Sequence, residues 1–245
     1  MKPFSLKAKD HLHSGDAKKR FNLEHFAEAA RCYDAATRCL SFGRDLSWKK
    51  KLVSMIPDSP GQMILDVACG TGDVSVLIAE RFPESRVHGV DLTPEMISLA
   101  ENRNTFGNVT FACGDMCSLE LPVHSVDVIT GSYALRNAPD LDVAISEFIR
   151  VLKPGGRMLF LDFTKPESKA AQRFQYIMLK IWGSFWGIIF HRNPEIHGYI
   201  SESLLHYPPN RELEKKFSEH DLAIVESRKL FGGMMRLHVL ELPSV

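Results

Sequence analysis

The stretch Ile64-Leu65-Asp66-Val67-Ala68-Cys69-Gly70-Thr71-Gly72-Asp73 decides how this chain is read. Residues 63–67 form a short apolar run that leads straight into Gly-x-Gly, and residues 74–81 then read as a helix. A strand that turns through glycines into a helix lets backbone approach a ligand where a Cβ would collide. Working outward, strand-like runs recur at 87–90, 109–112, 126–130 and 157–163, with helical segments at 94–102 and 141–152 between them. Thr93 and Pro94 offer a cap and a first-turn proline for one of these helices. This alternation predicts an α/β fold with a mostly parallel sheet and helices on both faces.

The flanks differ. Residues 1–60 carry helical spacing, as in Phe21, Phe26 and Ala30, then Leu46, Leu52 and Val53, and no strand signal. The turn residues 57–61 close this N-terminal helical cap, and a second unit spans 61–245. Within that unit, residues 165–220 break the alternation and predict a helical lid insertion, rich in aromatic residues such as Phe174, Trp182, Phe185 and Trp186. Residues 223–226 and 237–242, around Gly232-Gly233, predict a C-terminal antiparallel hairpin.

Composition excludes several classes. Lys plus Arg and Asp plus Glu number 30 each, so the chain lacks the basic footprint of a nucleic-acid binder, and none is expected as a partner. The cationic residues near Lys18 and at 49–51 read as solvated helix faces. Five cysteines, an odd number without a CxxC pair, indicate neither a disulfide framework nor a zinc site, and no metal is expected. Reduced thiols fit a cytoplasmic location. The charged start lacks the apolar core of a secretory signal, and no uncharged apolar run reaches the ~18 residues of a membrane span. A soluble protein is expected, with peripheral membrane contact and a homodimer both left open.

The glycine motif is not that of a dinucleotide enzyme in detail, because Ser75 stands where the third glycine would be. Asp66 precedes Gly70 by four residues, where a carboxylate suits a ligand bearing an ammonium and a sulfonium better than a pyrophosphate. Asp91 and Leu92 close the second strand, where an acid can accept from ribose hydroxyls. Asp115-Met116 follows the third strand as an acid and an apolar neighbour for adenine, and Ser132-Tyr133 follows the fourth. Residues 60–165 thereby resemble the class I S-adenosylmethionine-dependent methyltransferases, whose fold is a Rossmann-like sheet. Leu152-Lys153-Pro154-Gly155-Gly156 resembles that family's turn before the fifth strand and reads as a tight turn.

A narrower resemblance covers about four fifths of the chain. Tyr33-Asp34, Leu40-Ser41-Phe42-Gly43 and Trp48-Lys49 are similar to the opening motif of the ubiquinone/menaquinone-biosynthesis C-methyltransferases. Leu135-Arg136-Asn137, Phe163-Thr164-Lys165-Pro166, the segment 202–208 and the stretch from Gly232 to His238 resemble later positions of that family. The resemblance implies S-adenosyl-L-methionine as cofactor and methylation at carbon of a lipophilic aromatic acceptor, a hydroquinone with an isoprenoid tail. It implies Thr71, Asp91, Asp115, Met116 and Ser132 as cofactor contacts, beside Asp66, Gly70, Gly72 and Leu92 in the same loops.

For catalysis, Arg136 is permanently charged and would stabilise a phenolate rather than accept its proton; an ion pair with a nearby acid is its other reading. Asn137 could orient a hydroxyl or a water, and Tyr33 could close the cofactor pocket. The base is open between His206, His238 and a water relayed through Arg136. Residues 178–190 read as a lid, a tunnel or a membrane-facing helix for an apolar tail.

The chain also departs from the family. Ala35-Ala36 stand where Met-Asn is usual, Asp45 where a histidine is usual, and Arg236 where a small residue is usual. The departures gather on the acceptor side, so O- or N-methylation of another small molecule stays open. A non-catalytic cofactor-binding subunit and a nicotinamide oxidoreductase are disfavoured, the first by the intact glycine-acid motif and the second by the missing glycine.

Overall fold

The computed structural model describes residues 7–244, so the first six residues of the expected helical cap lie outside it. Seven strands, β1 (Met63–Val67), β2 (Arg86–Asp91), β3 (Val109–Cys113), β4 (Val126–Ser132), β5 (Leu152–Phe163), β6 (Ala223–Leu230) and β7 (Met235–Glu241), form one sheet in the order β3-β2-β1-β4-β5-β7-β6. The first five run parallel, and β7 lies antiparallel to both β5 and β6. The α/β sheet and the closing hairpin are therefore as the sequence predicts. The helices are α1 (Gly15–Ala29), α2 (Tyr33–Leu40), α3 (Asp45–Ser54), α4 (Asp73–Arg81), α5 (Pro94–Arg103), α6 (Leu141–Val151), α7 (Lys169–His191), α8 (Glu195–His206) and α9 (Asn210–Glu219).

Strand periodicity sorts the apolar residues into two cores, one on each face of the sheet. Leu65, Ile129 and Phe160 point to a core shared with Ile145 and Phe148 of α6 and Phe217 of α9. Ile64, Val128 and Leu159 point the other way, onto Ile78 of α4 and Leu52 of α3. On α6, Ala144, Ile145, Phe148 and Val151 make one buried stripe, and the Asp140 carboxylate caps the start by accepting from the Asp142 and Val143 N–H groups at 3.0 and 3.1 Å.

Two local expectations are corrected. Thr93 holds the cap position of α5 but its side chain makes no cap bond; instead its N–H donates to Asp91 Oδ1 at 2.9 Å. Residues 152–156 are not a turn before β5. Leu152 already pairs with Val126, and Arg157 resumes pairing at Val128, so residues 153–156 bulge out within the strand.

The helical segment after β5 is an α7–α8 pair set over the carboxyl edge of the sheet, touching α1 and α2. Gly183 makes this close approach: a Cβ there would run directly into the His197 carbonyl of α8. Because β7 is antiparallel to β5, the turn between β6 and β7 falls at that same edge, with Met235 paired to Phe163.

Candidate active site

The strand order reverses between β1 and β4, which opens a crevice outside the carboxyl ends of the parallel strands. Four loops line it: Ala68 and Gly70 after β1, Asp91 and Leu92 at the end of β2, Gly114 to Met116 after β3, and Ser132 and Tyr133 at the end of β4. Asn22 and Phe26 of α1 form its roof. Asp91 ties the first two loops together, since Oδ2 accepts from the Gly70 N–H and Oδ1 from the Thr93 N–H, both at 2.9 Å. Each of its oxygens keeps a lone pair for a further donor. Burial raises the Asp91 carboxyl above its ordinary range.

Of the nine expected cofactor contacts, Gly70, Asp91, Leu92, Asp115, Met116 and Ser132 line this cleft. Asp66, Thr71 and Gly72 lie in the layer around and beneath it. The Asp66 carboxylate is buried and accepts from the Ser75 and Thr130 hydroxyls at 2.7 and 2.8 Å. Burial pushes its pKa up to about 6. Ser75, in place of the third glycine, is thus what satisfies Asp66. The Thr71 hydroxyl donates to Asp34 of α2 at 2.7 Å. Gly72 has φ 84°, and a Cβ there would sit 2.9 Å from Phe111 Cζ, so this glycine is required for both conformation and packing.

The cleft has the acceptors, hydroxyl and apolar walls for S-adenosylmethionine, and it is closed down. Its free volume is about 50 Å³, well under the ~300–1,000 Å³ of ordinary small-molecule sites. What closes it is α1. Lys19 pairs with Asp115 at 2.7 Å, Asn22 Nδ2 donates to the Asn137 carbonyl at 2.7 Å, and Lys18 Nζ donates to the Arg136 carbonyl at 3.0 Å.

Beside the cleft lies a larger cavity of about 500 Å³ with a predominantly apolar lining. Phe26, Tyr33, Tyr133 and Asn137 line both, so the two spaces meet at these four residues. The cavity is built from non-contiguous pieces: α1 and α2, the segment around Phe42, Met178 to Trp182 of α7, Ile196 to Ile200 of α8, and Phe231 to Met235 of the hairpin turn. Phe42 stacks on Trp182 with ring centroids 4.9 Å apart, and Phe42 and Ile181 are 60% and 67% exposed. They mark the mouth of the cavity.

Arg136 and Asn137 sit in the wall of this cavity, as does Tyr33. The ion-pair reading of Arg136 holds. Its Nε lies 3.6 Å from Asp162 Oδ1 and has no hydrogen-bond partner, its backbone N–H donates to Asp162 Oδ2 at 3.0 Å, and its Nη1 donates to Ser203. The guanidinium also lies over the Phe163 and Tyr199 rings, 5.5 and 5.3 Å from their centroids. Asn137 donates to the Tyr133 carbonyl at 2.8 Å and accepts from the Tyr199 hydroxyl.

The histidine expectations are corrected. His206 is the last residue of α8, is exposed, and lines neither space. His238 is buried on the other face of β7, 3.5 Å from Glu214 of α9 and edge-on to Phe217. Burial lowers its pKa to about 4. Neither can accept a proton from a group in the cavity. The sequence motifs alone do not point to Asp162, Tyr199 or the roof residues Asn22 and Phe26. Asp162 does carry one other signal, being an acid at the carboxyl end of an apolar strand, the same placement that singles out Asp91.

Fold and site together define a class I S-adenosylmethionine-dependent methyltransferase. The profile of the ubiE/COQ5 methyltransferase family matches residues 15–240, and the chain belongs to this family. It is 28% identical over 216 residues to a demethylmenaquinone methyltransferase of Staphylococcus aureus, covering 87% of this chain and 90% of that protein. Among solved structures, a chain from a complex between the Haloferax volcanii Trm112 methyltransferase activator and a methyltransferase superposes with a TM-score of 0.66 at 17% identity, over 89% of this chain and 97% of the other. A SAM-dependent methyltransferase from Aquifex aeolicus gives 0.58 at 16% identity, over 79% and 89%. Among the described residues no helix is long and apolar enough to cross a membrane, and no cluster of three or more His, Cys, Asp or Glu residues could hold a metal.

Proposed function

We propose that this methyltransferase acts on a ring carbon of a prenylated hydroquinone, a benzoquinol or naphthoquinol of quinone biosynthesis. The observation that carries the proposal is the apolar cavity of about 500 Å³ that meets the cofactor cleft at Tyr33 and Tyr133 and holds one guanidinium, that of Arg136, in its wall. Gly70, Asp91, Leu92, Asp115, Met116 and Ser132 hold the cofactor, which supplies an electrophilic methyl group. The chain's own task is to place the ring carbon in line with that methyl at about 3–3.5 Å and to favour loss of the phenol proton. Tyr33, Tyr133 and Asn137 set the ring at the junction. Arg136 faces the oxygen on which charge develops; it is already desolvated, so its field is strong there.

The acceptor's tail runs toward the mouth at Phe42 and Ile181. Beyond the mouth, α7 presents an exposed apolar stripe, Phe174, Ile177, Ile181, Phe185 and Ile188, at three- and four-residue spacing. Lys169 and Arg173 lie at one end of it and Arg192 at the other, all exposed. An apolar face bracketed by cations suits the surface of an anionic bilayer, from which the acceptor enters. The protein then works in the cytoplasm at a membrane surface.

The deciding experiment supplies methyl-labelled S-adenosylmethionine and a short-chain demethylated hydroquinone and locates the label in the product. Label on a ring carbon is the expected result. Label on oxygen, or transfer only to tail-free acceptors, overturns the proposal.

A further inference from the structure

Next to the junction of cleft and cavity a polar chain leads away from Tyr133, buried at Asp45 and Lys49 and reaching the surface at Arg103 and Asp34. This tyrosine holds φ 60°, an unusual conformation for an aromatic residue. Its Oη donates to Asp45 Oδ1 at 2.6 Å. Asp45 is the first residue of α3, is buried, and has its N–H held by Ser41 Oγ at 3.1 Å. Its Oδ2 pairs with the buried Lys49 Nζ at 2.8 Å, and Lys49 pairs also with Asp73 at 3.0 Å. Asp73 and Asp34 are joined in turn by Arg103, at 3.0 and 2.8 Å. The cluster sets three carboxylates against two cations and so carries a surplus negative charge, which an arriving proton would neutralise.

We propose that Tyr133 and Asp45 form the proton exit of the acceptor site, with Tyr133 as the group that touches the acceptor hydroxyl and Asp45 as the final holder of the proton. This rests on the acceptor being a phenol. The acceptor O–H bond breaks as a new O–H forms on Tyr133 Oη, while the original Tyr133 O–H breaks and its proton bonds to Asp45 Oδ1. The products are a phenolate in the cavity and a neutral carboxyl beside Lys49, and Lys49 stays an ammonium throughout. Burial and the neighbouring Asp45 carboxylate hold the Tyr133 hydroxyl well above its ordinary range, which suits a relay that never rests as a tyrosinate. Tyr33, half-buried at the junction, faces the same Lys49 and Asp45 charges. A histidine at position 45 would offer a proton acceptor in the same place.

The test uses the whole chain and a 2-alkyl-4-nitrophenol, whose phenolate absorbs at longer wavelength than its phenol, without cofactor. Below the pH at which the free probe ionises, the wild type should bind it largely as phenolate. Asp45→Asn and Tyr133→Phe should bind it as phenol. With cofactor and a quinol, both variants should lose about 10²-fold or more in kcat, with acceptor KM and cofactor Kd within about threefold. Asp45→His should recover most of the turnover. Tyr133→Phe leaves the Asp45–Lys49 pair in place, so it separates loss of the relay from misfolding. A phenolate band that survives in both variants, or unchanged kcat, overturns the relay. If the wild type ionises the probe but methylates no quinol, the acceptor assignment fails and the relay stands.

Discussion

The cofactor cleft and the acceptor cavity meet at four residues but are built in opposite ways. The cleft is made of strand-end loops from residues 68–133, each placed by its own strand, roofed by α1. It is small and tied by backbone N–H groups to Asp91. The cavity draws on pieces from residue 25 to residue 235, brought together only by helix packing and the β6–β7 turn. One space is specified by local geometry, the other by tertiary assembly, and a change in one should leave the other standing.

The sharpest way to break that division is a crossed pair of substitutions. Asp91→Ala removes the carboxylate that accepts from Gly70 and Thr93, and S-adenosylmethionine binding should vanish in calorimetric titration. Arg136→Ala should keep that binding and lower turnover by ~10²-fold or more, as loss of a transition-state contact does. If Arg136→Ala lost cofactor affinity as severely as Asp91→Ala, the two spaces would be one energetic unit and the division would fail.

A smaller effect is expected at the cavity mouth. Ile181→Glu and Phe185→Glu place charge on the exposed stripe of α7 while leaving the cleft untouched. Both should reduce flotation with phosphatidylglycerol-containing vesicles and raise the KM for a long-tailed acceptor several-fold, with cofactor Kd unchanged. Unchanged flotation in both variants would remove the membrane from this face. If the wild type instead self-associates without vesicles and these variants do not, the stripe belongs to a second copy of the chain.

The same division explains what could be read in advance. The cleft was legible because a strand followed by a glycine loop places its ligand-facing residues by local rules. Even there, the motif points Asp66 at the ligand, whereas strand alternation puts it on the Ile64 side, against α4, where Ser75 meets it. Thr71 turned away to Asp34 for a reason 37 residues distant in sequence. On the cavity side, a motif match brought Arg136, Asn137 and Tyr33 to the right wall. It could not say that Arg136 would share its charge with Asp162, because that pairing depends on how the short 3-10 turn Leu135–Asn137 meets the end of β5. The histidines failed for a similar reason. His206 ends its helix in solvent, and on β7 the neighbours Leu237 and Val239 face one core while His238 faces α9.

The smallest effect expected is a difference in how the two regions answer to pH. Beneath the cleft, burial raises Asp66 to about 6, and the Ser75 and Thr130 hydroxyls only partly offset it. A carboxyl whose folded pKa lies above its ordinary 3.8 contributes stability that is fully present below that value and is lost as pH rises through about 6. In the cavity wall, burial and then the charge of His191 lower His197 to about 4. A histidine depressed in this way contributes stability present above its ordinary 6.5 and lost as pH falls through about 4. Each contribution is on the order of 1–3 kcal/mol. Thermal unfolding of Asp66→Asn and His197→Phe between pH 4 and 7.5 separates them. Relative to wild type, the Asp66→Asn midpoint should gain as pH rises through 6, and the His197→Phe midpoint should gain as pH falls from 6.5 toward 4. Differences that stay constant across this range would mean that neither group is held away from its solution behaviour, and the electrostatic contrast between floor and wall would go with them.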